Sequence, residues 1–184
     1  MKKVLVPLAP GFEEIEAITV IDILRRAGVE VTVAGTQSGP IEASRKTKHI
    51  PDCALADVHA EDFDMLVLPG GQPGATSLRN DARLRQIVET LRAGDRYLAA
   101  ICAAPIVLST QGILKDRTAT SHPTVRAEVA AGAKDVSDQR VLVDGPIITS
   151  QAAGTAMEFA FKLVDILCGP DKVVEVNRGV LARL

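Results

Sequence analysis

An apolar run passes directly into a helix-forming segment near the middle of the chain, in Tyr97-Leu98-Ala99-Ala100-Ile101-Cys102-Ala103-Ala104-Pro105. A strand this apolar is typical of the interior of a parallel sheet, where both faces are covered. Proline suits the first turn of a helix, where no amide hydrogen is required, so the segment predicts a helix over about 102–110. A cysteine therefore stands at the turn between a buried strand and a helix.

The same alternation of short apolar runs and helical patterns extends outward in both directions. Strands are predicted at Lys3–Leu8, Val29–Ala34 and Met65–Leu68, with a weaker one around 117–120 and a hairpin from 141–143 to 147–149. Helices are predicted over about 14–27, 76–92, 155–167 and 172–182, whereas 45–62 shows no clear pattern. The alternation predicts one doubly wound α/β domain over residues 1–184, with a mostly parallel sheet and helices on both faces.

Composition excludes several classes of function. The 184 residues carry 21 Lys and Arg against 23 Asp and Glu, and only 4 Phe, 1 Tyr and no Trp, so neither a basic field nor stacking platforms for nucleic acid are expected. The longest stretch without polar side chains, 97–108, is shorter than the roughly 20 residues that a membrane helix needs. Cys53, Cys102 and Cys168 are odd in number and form no CxxC pair, which indicates a reducing compartment and predicts a cytoplasmic protein.

Cys102 is the strongest candidate for a reactive residue. A nucleophile elbow needs small residues two positions on either side, and Ala100 and Ala104 meet that requirement. A thiol at a helix N-terminus is expected to have a lowered pKa and more thiolate. The alternative is a buried structural cysteine that acts as a small hydrophobic residue.

The Gly70-Gly71 pair follows the strand Met65–Leu68, and paired glycines allow backbone amides to face a developing oxyanion. Together with the amide of Ala103, that of Gly71 could form an oxyanion hole, although an ordinary turn is also possible. The segment lacks the ending of a P-loop, and no G-x-G-x-x-G motif occurs, so no nucleotide cofactor is predicted. No set of His and Cys residues predicts a metal site.

Two further side chains are candidates for proton transfer. Glu16 lies on the apolar stripe of the first helix, where burial would raise its pKa, although a side chain that reaches out to water fits the same pattern slightly better. His122 precedes Pro123 at a predicted strand end and could act as a base for Cys102. A histidine that caps a helix or lies in the core is equally compatible with that position.

Four separated motifs together closely resemble the ThiJ/PfpI superfamily, and within it the subgroup named for Parkinson disease protein 7. They are Gly11-Phe12-Glu13-Glu14-Ile15-Glu16, Val67-Leu68-Pro69-Gly70-Gly71, Ala99-Ala100-Ile101-Cys102-Ala103-Ala104-Pro105 and Thr120-Ser121-His122-Pro123. The resemblance covers essentially the whole chain and implies a flavodoxin-like sandwich that forms a homodimer through the first helix and the region of Arg45.

The resemblance also implies roles for the candidate residues. Cys102 matches the nucleophilic, oxidation-sensitive cysteine, and Glu16 matches the acid that hydrogen-bonds its sulfur. Gly71 and Ala103 match the oxyanion amides, and His122 matches the pocket histidine. One departure concerns peripheral thiols: animal members of the subgroup carry extra cysteines where this chain has Ala43 and Ile50.

The function implied by the resemblance is that of a cofactor-free, glutathione-independent glyoxalase or deglycase with a stress-protective role. Its substrates would be methylglyoxal, glyoxal, or the adducts that these aldehydes form with thiols and amines. The alternative is a redox-sensing thiol chaperone without turnover, because a reactive cysteine beside an acid is prone to oxidation. A cysteine protease or amidase is less favoured, since it needs a well-aligned pair of Cys102 and His122.

Overall fold

A computed structural model describes residues 1–183 and is built around one sheet of seven strands. The strands of the chain are β1 Lys3–Leu8, β2 Glu30–Gly35, β3 Ile41–Glu42, β4 Lys48–His49, β5 Cys53–Ala54, β6 Met65–Leu68, β7 Tyr97–Ile101, β8 Thr118–Ala119, β9 Asp135–Val136, β10 Val141–Asp144 and β11 Ile147–Ser150. The large sheet has the order β10-β11-β7-β6-β1-β2-β5, and β10 alone runs antiparallel to its neighbour. The mostly parallel sheet predicted from the sequence is confirmed.

Helices cover both faces of this sheet. They are α1 Glu14–Arg26, α2 Gly74–Asn80, α3 Ala82–Ala93, α4 Pro105–Thr110, α5 Arg126–Ala130, α6 Ala156–Cys168 and α7 Pro170–Val180. Alternate residues of β1 point to opposite faces, so Val4 packs in the core with α1 and α6, whereas Leu5 packs in the core with α3 and α4. Two separate apolar cores, one on each face, result from that alternation.

The most apolar strands, β1, β6 and β7, begin and end where the sequence predicts, and the hairpin of β10 and β11 is confirmed. The helix predicted over 76–92 is two helices, because Asp81 ends α2 and its carboxylate caps α3 by accepting the Leu84 N–H at 2.8 Å. The undeciphered stretch 45–62 holds the edge strand β5, the short strand β4 and two 3₁₀ turns. Within residues 1–183, no helix combines the length and apolarity needed to span a bilayer.

Candidate active site

Three predicted turns meet at the carboxyl ends of β6 and β7. The Gly70 N–H donates a hydrogen bond of 2.8 Å to Oε2 of Glu16, which α1 brings to the same place. The His122 N–H donates to the carbonyl oxygen of Cys102 at 2.8 Å. Residues 69–71, 101–103 and 121–123 therefore lie together at this edge of the sheet, where ligand sites form in open α/β sheets.

Cys102 occupies a strained turn. Its φ of +64° lies in the left-handed region, which costs a non-glycine residue roughly 1–2 kcal/mol. Two backbone hydrogen bonds hold it there: its N–H donates to the Ser150 carbonyl at 3.0 Å, and its own carbonyl accepts from His122. The predicted helix over 102–110 is wrong at its start, because α4 begins only at Pro105 after this turn. The sharp strand-to-helix turn is the geometry that a nucleophile elbow requires.

The glycine pair is fitted to this elbow. A Cβ atom on Gly70 would lie 2.7 Å from the Cβ of Cys102 and 2.9 Å from the nitrogen of Ala103. Gly71 has a φ of +88°, and a Cβ there would overlap the backbone of Gly11 and Glu13. Both positions therefore exclude larger residues, which an ordinary exposed turn would not do.

Glu16 is buried beneath Cys102, with 1% of its surface exposed, so the alternative of a side chain that reaches water is wrong. Its Oε2 accepts the Gly70 N–H, whereas Oε1 is buried and accepts no well-aligned hydrogen bond from residues 1–183. Burial raises the pKa of Glu16 from 4.5 to about 7; the Cys102 thiol and the Gly70 amide counteract part of this effect, and the charge of Glu13 adds to it. Near neutrality this carboxyl therefore exchanges a proton readily.

The thiol of Cys102 is shifted in the direction opposite to the one expected from a helix N-terminus. Burial first, and then the adjacent charge and hydrogen bond of Glu16, raise the pKa of Cys102 to about 12, while the amides of Gly71 and Ala103 lower it. The expectation of a lowered pKa is wrong because burial disfavours the thiolate and an acid lies against the sulfur. Because ionisation of either group disfavours ionisation of the other, the carboxyl and the thiol share one proton above about pH 7.

His122 is placed beside Cys102 through its backbone and not through its ring. The ring Nδ1 lies 2.8 Å from Oγ1 of Thr124 and accepts the Thr124 N–H at 3.3 Å, which caps the 3₁₀ turn Pro123–Val125. Among the hydrogen bonds of residues 1–183, none joins the ring to the sulfur. The capping alternative is therefore confirmed, and a role for His122 as base stays a prediction.

Glu13 also belongs to the site, whereas the sequence predicts for it only an acid that precedes the first turn and interacts with the helix dipole. Its carboxylate accepts the Glu16 N–H at 2.8 Å and so caps α1, while its own N–H donates to the Gly70 carbonyl at 2.9 Å. The capping role has no strong sequence signal, because the preferred N-cap residues are Ser, Thr, Asp and Asn, and not Glu. Across residues 1–183, no three His, Cys, Asp or Glu side chains are grouped closely enough to hold a metal ion.

The chain is similar to known proteins along its length. A family model described as the DJ-1/PfpI family matches residues 2–166. The chain is 41% identical over 181 residues to Protein dj-1beta of Drosophila melanogaster, which covers 98% of this chain and 97% of the relative. It is 36% identical to the Parkinson disease protein 7 homolog of Danio rerio, with 99% and 98% covered, and 37% identical to Glutathione-independent glyoxalase DJR-1.2 of Caenorhabditis elegans, with 93% and 91% covered.

Solved structures agree with these matches. The crystal structure of Drosophila melanogaster DJ-1beta superposes with a TM-score of 0.95 at 41% identity, covering 100% of this chain and 99% of that one. The structure described as Toxoplasma gondii DJ-1, oxidized, gives a TM-score of 0.94 at 36% identity, with 100% of both chains covered. The flavodoxin-like α/β arrangement implied by the sequence resemblance is confirmed.

Proposed function

The chain belongs to the DJ-1/PfpI family, and on that premise we propose that it is a cysteine-dependent, cofactor-free glyoxalase and protein deglycase. Its substrates would be methylglyoxal, glyoxal, or their early adducts with thiols and amines. The observation that carries the proposal is a strained Cys102 in contact with a buried Glu16 whose pKa is about 7. The name of the Caenorhabditis elegans relative, a glutathione-independent glyoxalase, supports the same class of reaction.

The first step is attack by sulfur on the aldehyde. When the proton that the pair shares resides on Glu16, Cys102 is a thiolate that the carboxylic acid stabilises by hydrogen bonding. The sulfur bonds to the aldehyde carbon of methylglyoxal, and the carbonyl oxygen becomes an oxyanion within reach of the Gly71 and Ala103 amides. The proton of Glu16 passes to that oxygen, which gives a neutral hemithioacetal.

The second step moves hydrogen from the former aldehyde carbon to the ketone carbon. The Glu16 carboxylate removes the proton from that carbon, and the hydroxyl proton passes to the former ketone oxygen through the enediol. Glu16 then returns its proton to the neighbouring carbon, which leaves a lactyl thioester on Cys102. Water cleaves this thioester and restores the thiol, so methylglyoxal and water give lactate. One carbon is oxidised and its neighbour reduced, so no external oxidant is needed. With an early adduct, the sulfur displaces the bound thiol or amine from the carbinol carbon, and the leaving group takes the proton of Glu16, which gives the same hemithioacetal.

Lactate formation from methylglyoxal in the absence of glutathione tests the proposal. Wild type should produce lactate, Cys102→Ala should produce none, and Glu16→Gln should lose most of its turnover because it cannot carry the proton. Cys53→Ala and Cys168→Ala are matched controls that should retain full activity, since both thiols lie outside the site. Equal lactate from Cys102→Ala, or none from wild type, would overturn the proposal.

The pH profile provides a second check. The thiolate tautomer exists only after the pair has lost its first proton, so kcat/KM should rise with pH through an apparent pKa near 7. A flat profile from pH 5 to pH 9 would contradict the role of Glu16.

A second candidate function is redox sensing with chaperone activity, which the oxidized Toxoplasma gondii relative favours. A sulfinate on Cys102 would lie beside the carboxylic acid of Glu16 and accept its hydrogen bond. Intact-mass spectrometry after graded peroxide distinguishes this function: two oxygens added at Cys102, with holdase activity gained and no lactate formed, would favour it over the glyoxalase.

A protease or amidase is less favoured, because the His122 ring is bonded to Thr124.

We also propose that residues 1–184 act as one domain and form a homodimer. The first and last strands, β1 and β11, share one sheet, which supports the single domain. On α1, Ile15 and Ile18 are 56% and 38% exposed, an apolar surface that a second copy could cover beside Arg45. Sedimentation equilibrium at micromolar concentration should give the dimer mass, and monomer alone would refute it.

A further inference from the structure

A polar cavity of about 270 Å³ lies at the end of the sheet opposite Cys102. It opens between the turn that precedes β7, the segment that follows α4, and the turn from β10 to β11. Since β7 has five residues at about 3.3 Å each, the two sites are roughly 16 Å apart along the strand. The cavity is therefore separate from the proposed aldehyde site.

The charged side chains that line this cavity come from two short segments. The cations are Arg92, Arg96, Lys115 and Arg117, and the acids are Asp95 and Asp116. A chain with a net charge of −2 thus gathers four cations against two carboxylates around one small volume. Asp144 and Asp64, which lie outside the lining, neutralise Arg117 and in part Arg96, so the cations left for an anionic ligand are Arg92, Lys115 and in part Arg96.

The backbone fixes both segments. The turn before β7 is closed by the Arg96 N–H, which donates to Leu91 at 2.9 Å, and it holds Asp95 in the left-handed region with a φ of +52°. On the other side, Nη1 of Arg117 donates to Asp144 at 2.9 Å, and its guanidinium lies against the glycine turn at Gly145. The turn at Asp95 and the guanidinium of Arg117 are therefore held in fixed positions beside the cavity.

Four of the six charged groups have no partner in the fold. Among residues 1–183, the side chains of Arg92, Lys115, Asp95 and Asp116 form no ion pair and no hydrogen bond. Arg96 has only a 3.4 Å contact with Asp64. Folding thus leaves two free cations and two free carboxylates around the cavity, which are available for a ligand.

We propose that this cavity binds a small phosphate ester that carries free hydroxyl groups. Guanidinium and ammonium groups bind phosphate oxygens through charge-assisted hydrogen bonds, which assigns the phosphate to Arg92, Arg96 and Lys115. Carboxylates only accept hydrogen bonds at neutral pH, so Asp95 and Asp116 select hydroxyl donors and disfavour a ligand that is anionic throughout. The volume lies at the small end of the range for ligand sites, which limits the ligand to a few carbons.

Calorimetric titration of the full chain with glycerol 3-phosphate at low ionic strength tests the proposal, with inorganic phosphate and glycerol as comparison ligands. Glycerol 3-phosphate should bind saturably and more tightly than either. Arg92→Ala and Lys115→Ala should each weaken binding about tenfold, as expected for the loss of one charge-assisted bond. Arg85→Ala, an exposed arginine on the same helix as Arg92 but outside the cavity, is the matched control and should change nothing.

Further measurements test the two parts of the proposal separately, namely the existence of the site and the role of its carboxylates. Asp116→Asn should reduce the preference for glycerol 3-phosphate over inorganic phosphate. No saturable binding to wild type, or an equal loss from Arg85→Ala, would overturn the site. Inorganic phosphate binding as tightly as the ester would overturn the assignment of the hydroxyl groups. Because these side chains lie at the surface, unchanged thermal unfolding should show that the variants remain folded.

Discussion

The two ends of β7 differ in how they hold their functional groups. At the carboxyl end, Glu16 is buried and Cys102 is half-buried, burial raises the pKa of each, and the backbone at Cys102 is strained. At the amino end, the charges of Arg92 and Lys115 are exposed and form no ion pair or hydrogen bond within residues 1–183. The strand β7 therefore connects two different sites. At one end, strain and burial lower the stability of the fold, and at the other end the charged side chains are exposed to water.

The two ends of β7 therefore differ in chemistry: buried groups exchange protons, whereas exposed charges attract a ligand. Acids that are removed from water shift their pKa and exchange protons near neutrality, but the fold must supply the free energy that keeps them there. Exposed charges attract a ligand without such a requirement, because water solvates them until the ligand arrives. Substitutions at the carboxyl end should therefore alter the free energy of unfolding, whereas those at the amino end should alter binding alone.

The largest expected effect is the pH dependence that Glu16 confers on stability. Its pKa is about 7 in the native state against 4.5 for the free side chain, so between these values the native state keeps a proton that the unfolded state releases. The free energy of unfolding therefore falls as pH rises, by about 3 kcal/mol in total. Glu16→Gln should abolish that fall, measured by urea unfolding at pH 5 and pH 8.

The pKa of Cys102 is 9.0 for the free side chain and higher in the native state, so the thiol ionises in neither state between pH 5 and pH 8 to an extent that alters this pH dependence. Glu89→Gln, which replaces an exposed glutamate on α3, should retain the wild-type pH dependence and serves as the control. Identical pH dependence in wild type and Glu16→Gln would show that ionisation of the buried carboxyl does not lower the free energy of unfolding.

The second effect concerns the glycine pair. Gly70→Ala places a Cβ 2.7 Å from the Cβ of Cys102, and the overlap should destabilise the fold by about 1–3 kcal/mol and reduce turnover as the elbow shifts. Gly154→Ala is the matched control, because a Cβ there meets no atom within 4 Å and should be neutral or slightly stabilising. Denaturant midpoints of the two variants decide the matter. Equal stability would mean that the enclosed end is less rigid than its packing indicates.

The sequence predicted the fold where patterns are long and apolar. Strands β1, β6 and β7 were located because each is a continuous apolar run, whereas β3, β4 and β5 contain two residues each and have no period to detect. The division between α2 and α3 was missed because the apolar period continues across Asp81. That aspartate, a typical N-cap residue, was the available signal.

The sequence predicted those features of the candidate site that depend on residues close together in the chain. The small residues around Cys102 and the glycine pair indicate an elbow directly, since their roles depend on sterics within a few residues. The burial of Glu16 could not be predicted from a helical wheel, which shows the direction of a side chain but not what covers it. The thiol pKa was predicted in the wrong direction because the burial of the sulfur and its contact with the carboxyl depend on tertiary structure.

A smaller effect isolates the strain at Cys102. Glycine adopts a φ of +64° without steric penalty, so Cys102→Gly should be as stable as Cys102→Ala or up to about 1 kcal/mol more stable. Ala104 has a φ of −65°, which alanine adopts without strain. Ala104→Gly should therefore lower the free energy of unfolding by about 1 kcal/mol, because glycine loses more conformational entropy than alanine on folding. Thermal unfolding of the four proteins, with wild type as reference, gives both differences. A loss at Cys102 as large as that at Ala104 would argue against stored strain.

The smallest effect is the expected absence of coupling between the two ends. Lys115→Ala should change the free energy of unfolding by less than about 0.5 kcal/mol, because the side chain is exposed and unpaired. Gly70→Ala acts at the opposite end of β7, and sites that share no partner and lie more than about 10 Å apart are additive within roughly 0.5 kcal/mol. Urea unfolding of the double variant should therefore equal the sum of the single variants. A larger interaction would mean that the central sheet transmits strain from the enclosed end to the charged one, and that a ligand bound among the cations could alter the reactivity of Cys102.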